Sequence, residues 1–266
     1  MLLRIIFPFL LIPGLGIMQP VSFEQDQRSA ASHDSLELIH KNYMPACSAS
    51  DIITQHKAFA LCYNEDCEQA KWVAYHLTAE MCSNKGKERT DDFRPDKAIS
   101  TGSATPGDYK KSGYDRGHLC PAGDMGWNDT AMSESFLMSN MSPQLPAFNR
   151  GIWKNLESDV REWAKINKDI YVVTAGVLEK GLPTIGVDKV AIPRYYYKVI
   201  LDVSAPGYKA IAFVLPNEKS GASVFNYAVS IDSVERLTGI DFFPALPDSL
   251  EHVLEMQADS TQWKIN

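Results

Sequence analysis

Two hydrophobic periods divide this chain. Over residues 57–63 (KAFALCY) and 68–78 (EQAKWVAYHLT) apolar and polar positions alternate, and Asn64-Glu65-Asp66 lies between them as turn material. A period of two belongs to strands, so the pair predicts a β-hairpin with Cys62 and Cys67 flanking its turn. His56 and His76 are then expected to be packing or edge residues of strands. Strand-like patterning returns over 170–175 (IYVVTA), 194–203 (RYYYKVILDV) and 209–215 (KAIAFVL). The last two, joined through Ser204-Ala205-Pro206-Gly207, predict a second hairpin in which Tyr195, Tyr196 and Tyr197 serve the core. From Asn149 the period lengthens: Ile152, Trp153, Leu156, Val160 and Trp163 recur at three- and four-residue steps, the apolar stripe of a helix, with Lys154, Asp159, Arg161 and Glu162 opposite. A shorter helical stretch, 131–138, follows a start that Asp129 or Thr130 can cap. Pro143 and Pro146 forbid its continuation. Residues 230–237, stopped by Gly239, predict a short capped helix.

No repeat or low-complexity segment interrupts these elements, so one α+β domain over residues 51–266 accounts for them, with 19–50 as a polar linker and lead-in. The first 18 residues, one Arg4 ahead of an apolar run broken by Pro8 and Pro13, predict an export signal and a periplasmic or secreted protein. Export would carry the five cysteines into an oxidising compartment, and an odd number leaves at least one thiol unpaired within the chain. Their spacing is not that of a zinc site, and Cys120 is read as a small buried hydrophobe. The formal net charge of −7 argues weakly against a nucleic-acid partner, although the sign of a total does not set the sign of a cleft.

Candidate chemistry concentrates in residues 113–157, where Asp115-Arg116-Gly117-His118 is followed by Asn140, Asn149 and Glu157. Hydrolysis of a phosphodiester needs a base for water, charge to meet the phosphate and help for the departing oxygen. Histidine suits the first task, and His118 is the one histidine with such partners close in sequence. A hard cation such as Mg²⁺, taking oxygen ligands and keeping most of its waters, suits the second. Asn149 and Glu157, eight residues apart, would be separated by roughly 12 Å along an ideal helix. Asn149 is therefore the direct ligand candidate and Glu157 one that reaches the metal through water. Upstream, the polar stretch 85–100 offers Arg89 and Arg94, whose guanidinium forks suit phosphate oxygens.

The ordered set of Asp115-Arg116-Gly117-His118, then residues 139–144 (SNMSPQ), then 148–157 (FNRGIWKNLE), resembles the DNA/RNA non-specific endonuclease family. That likeness, running from about Lys57 to Phe243, implies a ββα-metal motif embedded in a single α+β domain with a mainly antiparallel central sheet. It implies an endonuclease that uses Mg²⁺, or another divalent cation such as Mn²⁺, to cut both DNA and RNA, leaving 5′-phosphate and 3′-hydroxyl ends. By residue, it implies His118 as general base, Asn149 as metal ligand, Glu157 as the carboxylate that orients water on the metal, and Asn140 as a group positioning the site. Arg116 would contact phosphate, and Arg89, or else Arg94, would stabilise its transition state. Two alternatives keep the same fold or chemistry: a catalytically silent nucleic-acid-binding module, and a phosphodiesterase acting on a non-nucleic-acid substrate. Asn128-Asp129-Thr130 and Asn140-Met141-Ser142 match the glycan acceptor pattern and are read as chance.

Overall fold

A computed structural model describes residues 43–48, 51, 53–84, 86–204 and 207–265. The expected export signal and most of the lead-in lie outside the described residues. The predicted first hairpin is present as β2 (Phe59–Asn64) and β3 (Gln69–Thr78), paired from Phe59 opposite Tyr75 with a bulge at Cys62/Tyr63. β1 (Ile53–Gln55), too short to show a period, adds an edge strand. Two short strands follow the hairpin in sequence, β4 (Asp115–His118) and β5 (Met141–Gln144), and pair only with each other. The remaining large strands are β6 (Asp169–Gly176), β9 (Tyr195–Asp202) and β10 (Lys209–Pro216). β7 (Thr184–Ile185) and β8 (Val190–Ala191) make a small ladder of their own, and β11 (Ala228–Val229) closes the far edge.

The central sheet runs β1-β2-β3-β6-β9-β10-β11, with every neighbouring pair antiparallel. Its middle strands are buried at almost every position rather than at every second one. Both faces of the sheet are therefore covered, which is why their sequences read as near-continuous apolar runs. Helix α3 (Lys154–Asn167) covers part of it, with Leu156, Val160, Trp163 and Ala164 buried. Trp163 stacks on Phe213 with ring centroids 5.8 Å apart and donates from Nε1 to the Trp263 carbonyl at 2.6 Å. Tyr196 and Tyr197 are fully buried as expected, while Tyr195 stays largely exposed.

The shorter helices depart from expectation at their ends. A small helix, α1 (Ala79–Ser83), follows β3 with Thr78 as its cap. The helix expected over 131–138 is α2 (Asp129–Glu134), and the residue that caps it is Asn128, whose Oδ1 accepts from the Thr130 and Ala131 amides. A separate 3₁₀ turn then spans Met138–Asn140. α4 (Ile231–Thr238) is capped by Ser230 and ends at Gly239, whose φ of 69° is the left-handed conformation that favours glycine. α5 (Asp248–Met256) follows it. Cys47 and Cys62 form a disulfide, leaving Cys67, Cys82 and Cys120 as thiols, with Cys120 buried. Of the two histidines expected to pack at strands, His76 lies in β3 stacked on Tyr171 and also meets Asp169, and His56, just before β2, packs on Phe59 and meets Asp96 at 2.9 Å.

Candidate active site

The site is built on the β4–β5 ladder, where Arg116 faces Pro143, Gly117 faces Ser142 and His118 faces Met141. Side chains two apart on a strand share a face, so Arg116 and His118 enter the same cleft. Gly117 between them is required by close approach: a Cβ there would collide with the Gln144 side chain. The His118 ring is gripped edge-on by Phe93 and Phe136, at centroid distances of 5.7 and 4.9 Å, and its Nε2 is buried with no hydrogen-bond partner. Burial, and after it the charges of Arg89 and Arg116, push the imidazole pKa down to about 3. The ring is thus neutral, with a lone pair to offer.

Asn140 stands behind this strand, not in the cleft. Its amide donates to the carbonyls of Cys120 and Ser135 at 2.9 and 2.8 Å and accepts from the Cys120 N–H at 2.8 Å, while its own carbonyl receives Leu119. Fully buried, it ties the residues just after His118 to the turn before β5.

Asn149 and Glu157 line one cleft on either side of a break in the helix that joins them. A helical turn at Pro146–Phe148 passes into a π-helical turn, Asn149–Trp153, in which Gly151 leaves the helical region (φ −107°, ψ −115°), and regular α3 begins only at Lys154. π turns of this kind re-aim side chains at functional sites. Both residues line one cleft of about 470 Å³ with His118. Asp115 locks the turn from below, accepting from Asn149 Nδ2 at 2.9 Å and from the Arg150 fork at 2.9 and 2.7 Å. Burial would raise the Asp115 carboxyl, but the bonds from Arg150 and Asn149 outweigh it and hold it below its ordinary range. With its nitrogen spent on Asp115, the Asn149 amide has its oxygen left to offer.

The electrostatics reverse those of the whole chain. Arg89, Arg116, Arg150, Lys154 and Arg161 line the cleft against one carboxylate, Glu157. Arg89, Arg150 and Arg161 also hold Asp91, Asp115 and Asp124, yet the lining itself carries five cations to one acid, a local anion trap on a protein of formal charge −7. Arg116 lies 3.8 Å from the centre of the Phe93 ring, and Arg89 4.7 Å from that of Phe136. Arg94 is placed elsewhere: its guanidinium is committed to the Asp92 carboxylate at 2.6 Å and the Ser133 carbonyl at 3.0 Å, and it does not line the cleft. Of the two upstream arginines, the structure brings Arg89 to His118.

Beneath the cleft lies a layer of charges that the sequence reading left without a role. Lys198, in the middle of β9, is fully buried with Nζ 4.8 Å from the Trp153 ring centre and no hydrogen bond. Arg161 pairs with Asp124 at 2.8 Å, and Asp124 also accepts from the Tyr75 hydroxyl at 3.0 Å. Burial pushes Glu157 up to about 7, with Lys198 drawing it down and Asp124 opposing that pull. Both cations left signals in the sequence: Lys198 interrupts an apolar strand, and Arg161 follows Glu157 by one helical turn.

Asn149 oxygen and the Glu157 carboxylate are hard donors facing a polar cleft, and the set fits a divalent cation that keeps most of its waters. The sequence model of DNA/RNA non-specific endonucleases matches residues 40–249. A nuclease of Nostoc sp. is 35% identical over 214 residues, covering 76% of this chain and 77% of that one. Human mitochondrial endonuclease G is 32% identical over 206 residues, covering 72% and 69%. A solved structure of an EndoG/EndoGI complex superposes with a TM-score of 0.74 at 33% identity, covering 81% of this chain and 94% of that one.

Proposed function

Because the chain belongs to the DNA/RNA non-specific endonuclease family, a metal-dependent family of phosphodiester hydrolases, we propose that its reaction runs in the cleft between β4 and α3, with His118 as base. The observation that carries this reading is the buried, unpartnered Nε2 of His118 opening on a cleft of five cations. A phosphate entering there is held by Arg89 and Arg116, whose charges add to burial in keeping the free imidazole neutral. Its own negative charge offsets theirs, so the imidazolium becomes affordable when Nε2 takes the proton of the attacking water. Asn149 and Glu157 would hold a divalent cation, Mg²⁺ by the hardness of the donors, Asn149 directly and Glu157 through water. Bound there, the cation would supply charge to the phosphate oxygens and to the departing 3′-oxygen. Arg150 and Asp115 keep the Asn149 amide oriented, and Asn140 keeps the His118 strand in register.

Since water is the nucleophile in this scheme, no 2′-hydroxyl is needed, and DNA and RNA are both substrates, cut to 5′-phosphate and 3′-hydroxyl ends. The apolar run after Arg4 and the Cys47–Cys62 disulfide support export to the periplasm or beyond. Among the described residues no helix is long and apolar enough to cross a membrane. End analysis of the products tests the chemistry. Nicks made in plasmid DNA with Mg²⁺ should be sealed directly by a DNA ligase, which requires a 5′-phosphate beside a 3′-hydroxyl; nicks that seal only after phosphatase and kinase treatment would overturn it.

A further inference from the structure

The last two helices carry carboxylates that the cleft does not use. Asp232 and Glu235 are three apart on α4, and Glu251 and Glu255 four apart on α5, spacings that put each pair on one helix face. The two helices pack together, and one carboxylate oxygen from each of Asp232, Glu235 and Glu255 lies within 4.8 Å of the others. Acidic neighbours are common on surfaces; this group differs in having Glu255 buried, with Asp232, Glu235 and Glu251 half-buried around it. Glu255 is 9% exposed, and its Oε1, like that of Glu251, is buried with no hydrogen bond. Among the described residues, no ion pair includes any of the four. Glu235 accepts the Phe242 N–H with Oε1 at 2.8 Å, which leaves its second oxygen for the cluster. Arg236, the nearest cation in sequence, donates to Ser233 instead.

Carboxylates withdrawn from water side by side repel and lose solvation, a cost that a counter-charge or a shared proton removes. We propose that Asp232, Glu235 and Glu255, with Glu251 beside them, form a Ca²⁺ site that clamps α4 to α5. The donors are all hard oxygens with no imidazole or thiolate among them, the set that Ca²⁺ takes. Oxygens on opposite sides of an ion with a metal–oxygen distance of roughly 2.4 Å are separated by roughly twice that, and these oxygens lie within 4.8 Å of one another. None of the four lines the nuclease cleft, so the role is structural and independent of the reaction proposed there.

The test is calorimetric titration of CaCl₂ into the full chain carrying Asn149→Ala, stripped with EDTA and dialysed, so that the cleft contributes least. One Ca²⁺ per chain should bind, and the melting temperature should rise by about 5 °C at a hundredfold excess over Kd. Adding Glu255→Gln or Asp232→Asn should weaken binding at least tenfold and remove the thermal shift. Each neutral replacement relieves repulsion, so neither variant should melt below its parent in EDTA; should Glu255→Gln not fold, Asp232→Asn at its half-exposed position gives the reading alone. In the otherwise native chain both single variants should cut DNA with Mg²⁺ at the parent rate. No Ca²⁺ response in the Asn149→Ala chain, or a response that survives both replacements, overturns the proposal. So does stability that follows pH and ignores Ca²⁺, because shared protons would then neutralise the cluster.

Discussion

Behind the cleft, many polar groups are spent. Asn140 uses both ends of its amide, the Ser142 hydroxyl lies 2.6 Å from both Gln69 Oε1 and the Tyr196 hydroxyl, and Asp96 receives His56, Ser139 and the Ala98 N–H. In the cleft, several are held back. His118 keeps Nε2 unpaired, Asn149 has one end of its amide tied and the other open, and Arg116 and Lys154 line the space without an ion pair among the described residues, while Arg89, Arg150 and Arg161 hold Asp91, Asp115 and Asp124. A buried polar atom without a partner costs free energy, so a fold that satisfies the back of a site and not its front is keeping the front for a ligand. Exceptions at the back are the Gln144 amide, Trp153 Nε1 and Lys198; without a hydrogen bond, Lys198 acts on Glu157 and Asp124 through space.

Substitutions on the two sides should therefore fail differently. The largest effect belongs to His118→Ala, which should lower turnover by roughly 10²–10⁴ with little loss of melting temperature; near-native turnover would remove His118 as the base. Next, Arg89→Ala should cost roughly 10²–10³ in kcat/KM by analogy with a lost transition-state donor. Arg94→Ala, whose guanidinium braces the Asp92 loop, should cost far less, and the reverse order would reassign the phosphate contact. Asn149→Ala should raise the Mg²⁺ concentration for half-maximal rate by about 10–100-fold, read from a Mg²⁺ titration; an unchanged titration would deny it the metal. At the back, Asn140→Ala strands a buried N–H and two carbonyls and should lower stability by roughly 2–4 kcal/mol, measured by urea unfolding.

The smallest predicted effect is a shift in pH dependence. Because burial and then Arg89 and Arg116 lower the His118 pKa, the neutral base persists as pH falls, and the acid limb of kcat/KM should lie below the ordinary histidine midpoint of about 6.5. Removing the Arg89 charge should move that limb upward. A limb at the ordinary midpoint in the native enzyme, unmoved by Arg89→Ala, would show that the arginines do not act on the base.

The sequence made the front of the site easier to read than its back. Strands such as 170–175 and the helical stripe from Ile152 to Trp163 are long enough for their periods to show, and β1, three residues long, is not. The catalytic types stand out because histidine, asparagine and glutamate in a fixed order have few other reasons to recur together. What sequence spacing obscured was the break at Gly151 between Asn149 and Glu157, which lies inside the stretch whose period reads as one helix. The supports were harder still. Asp115 reaches Asn149 across 34 residues and Tyr75 reaches Asp124 across 49, contacts that no local pattern encodes. Asn140, which the motif implies as a group positioning the site, has the hydrogen bonds of a brace.

The most direct test is digestion of supercoiled plasmid and of single-stranded RNA by the native chain, with Mg²⁺ and with EDTA, beside His118→Ala at equal folded concentration. The account predicts that the native chain degrades both substrates with Mg²⁺, that EDTA stops both, and that the variant is impaired on both to the same degree. Cleavage of one substrate only, cleavage that persists in EDTA, or a variant impaired on one substrate alone would contradict a single cationic cleft with one base for DNA and RNA.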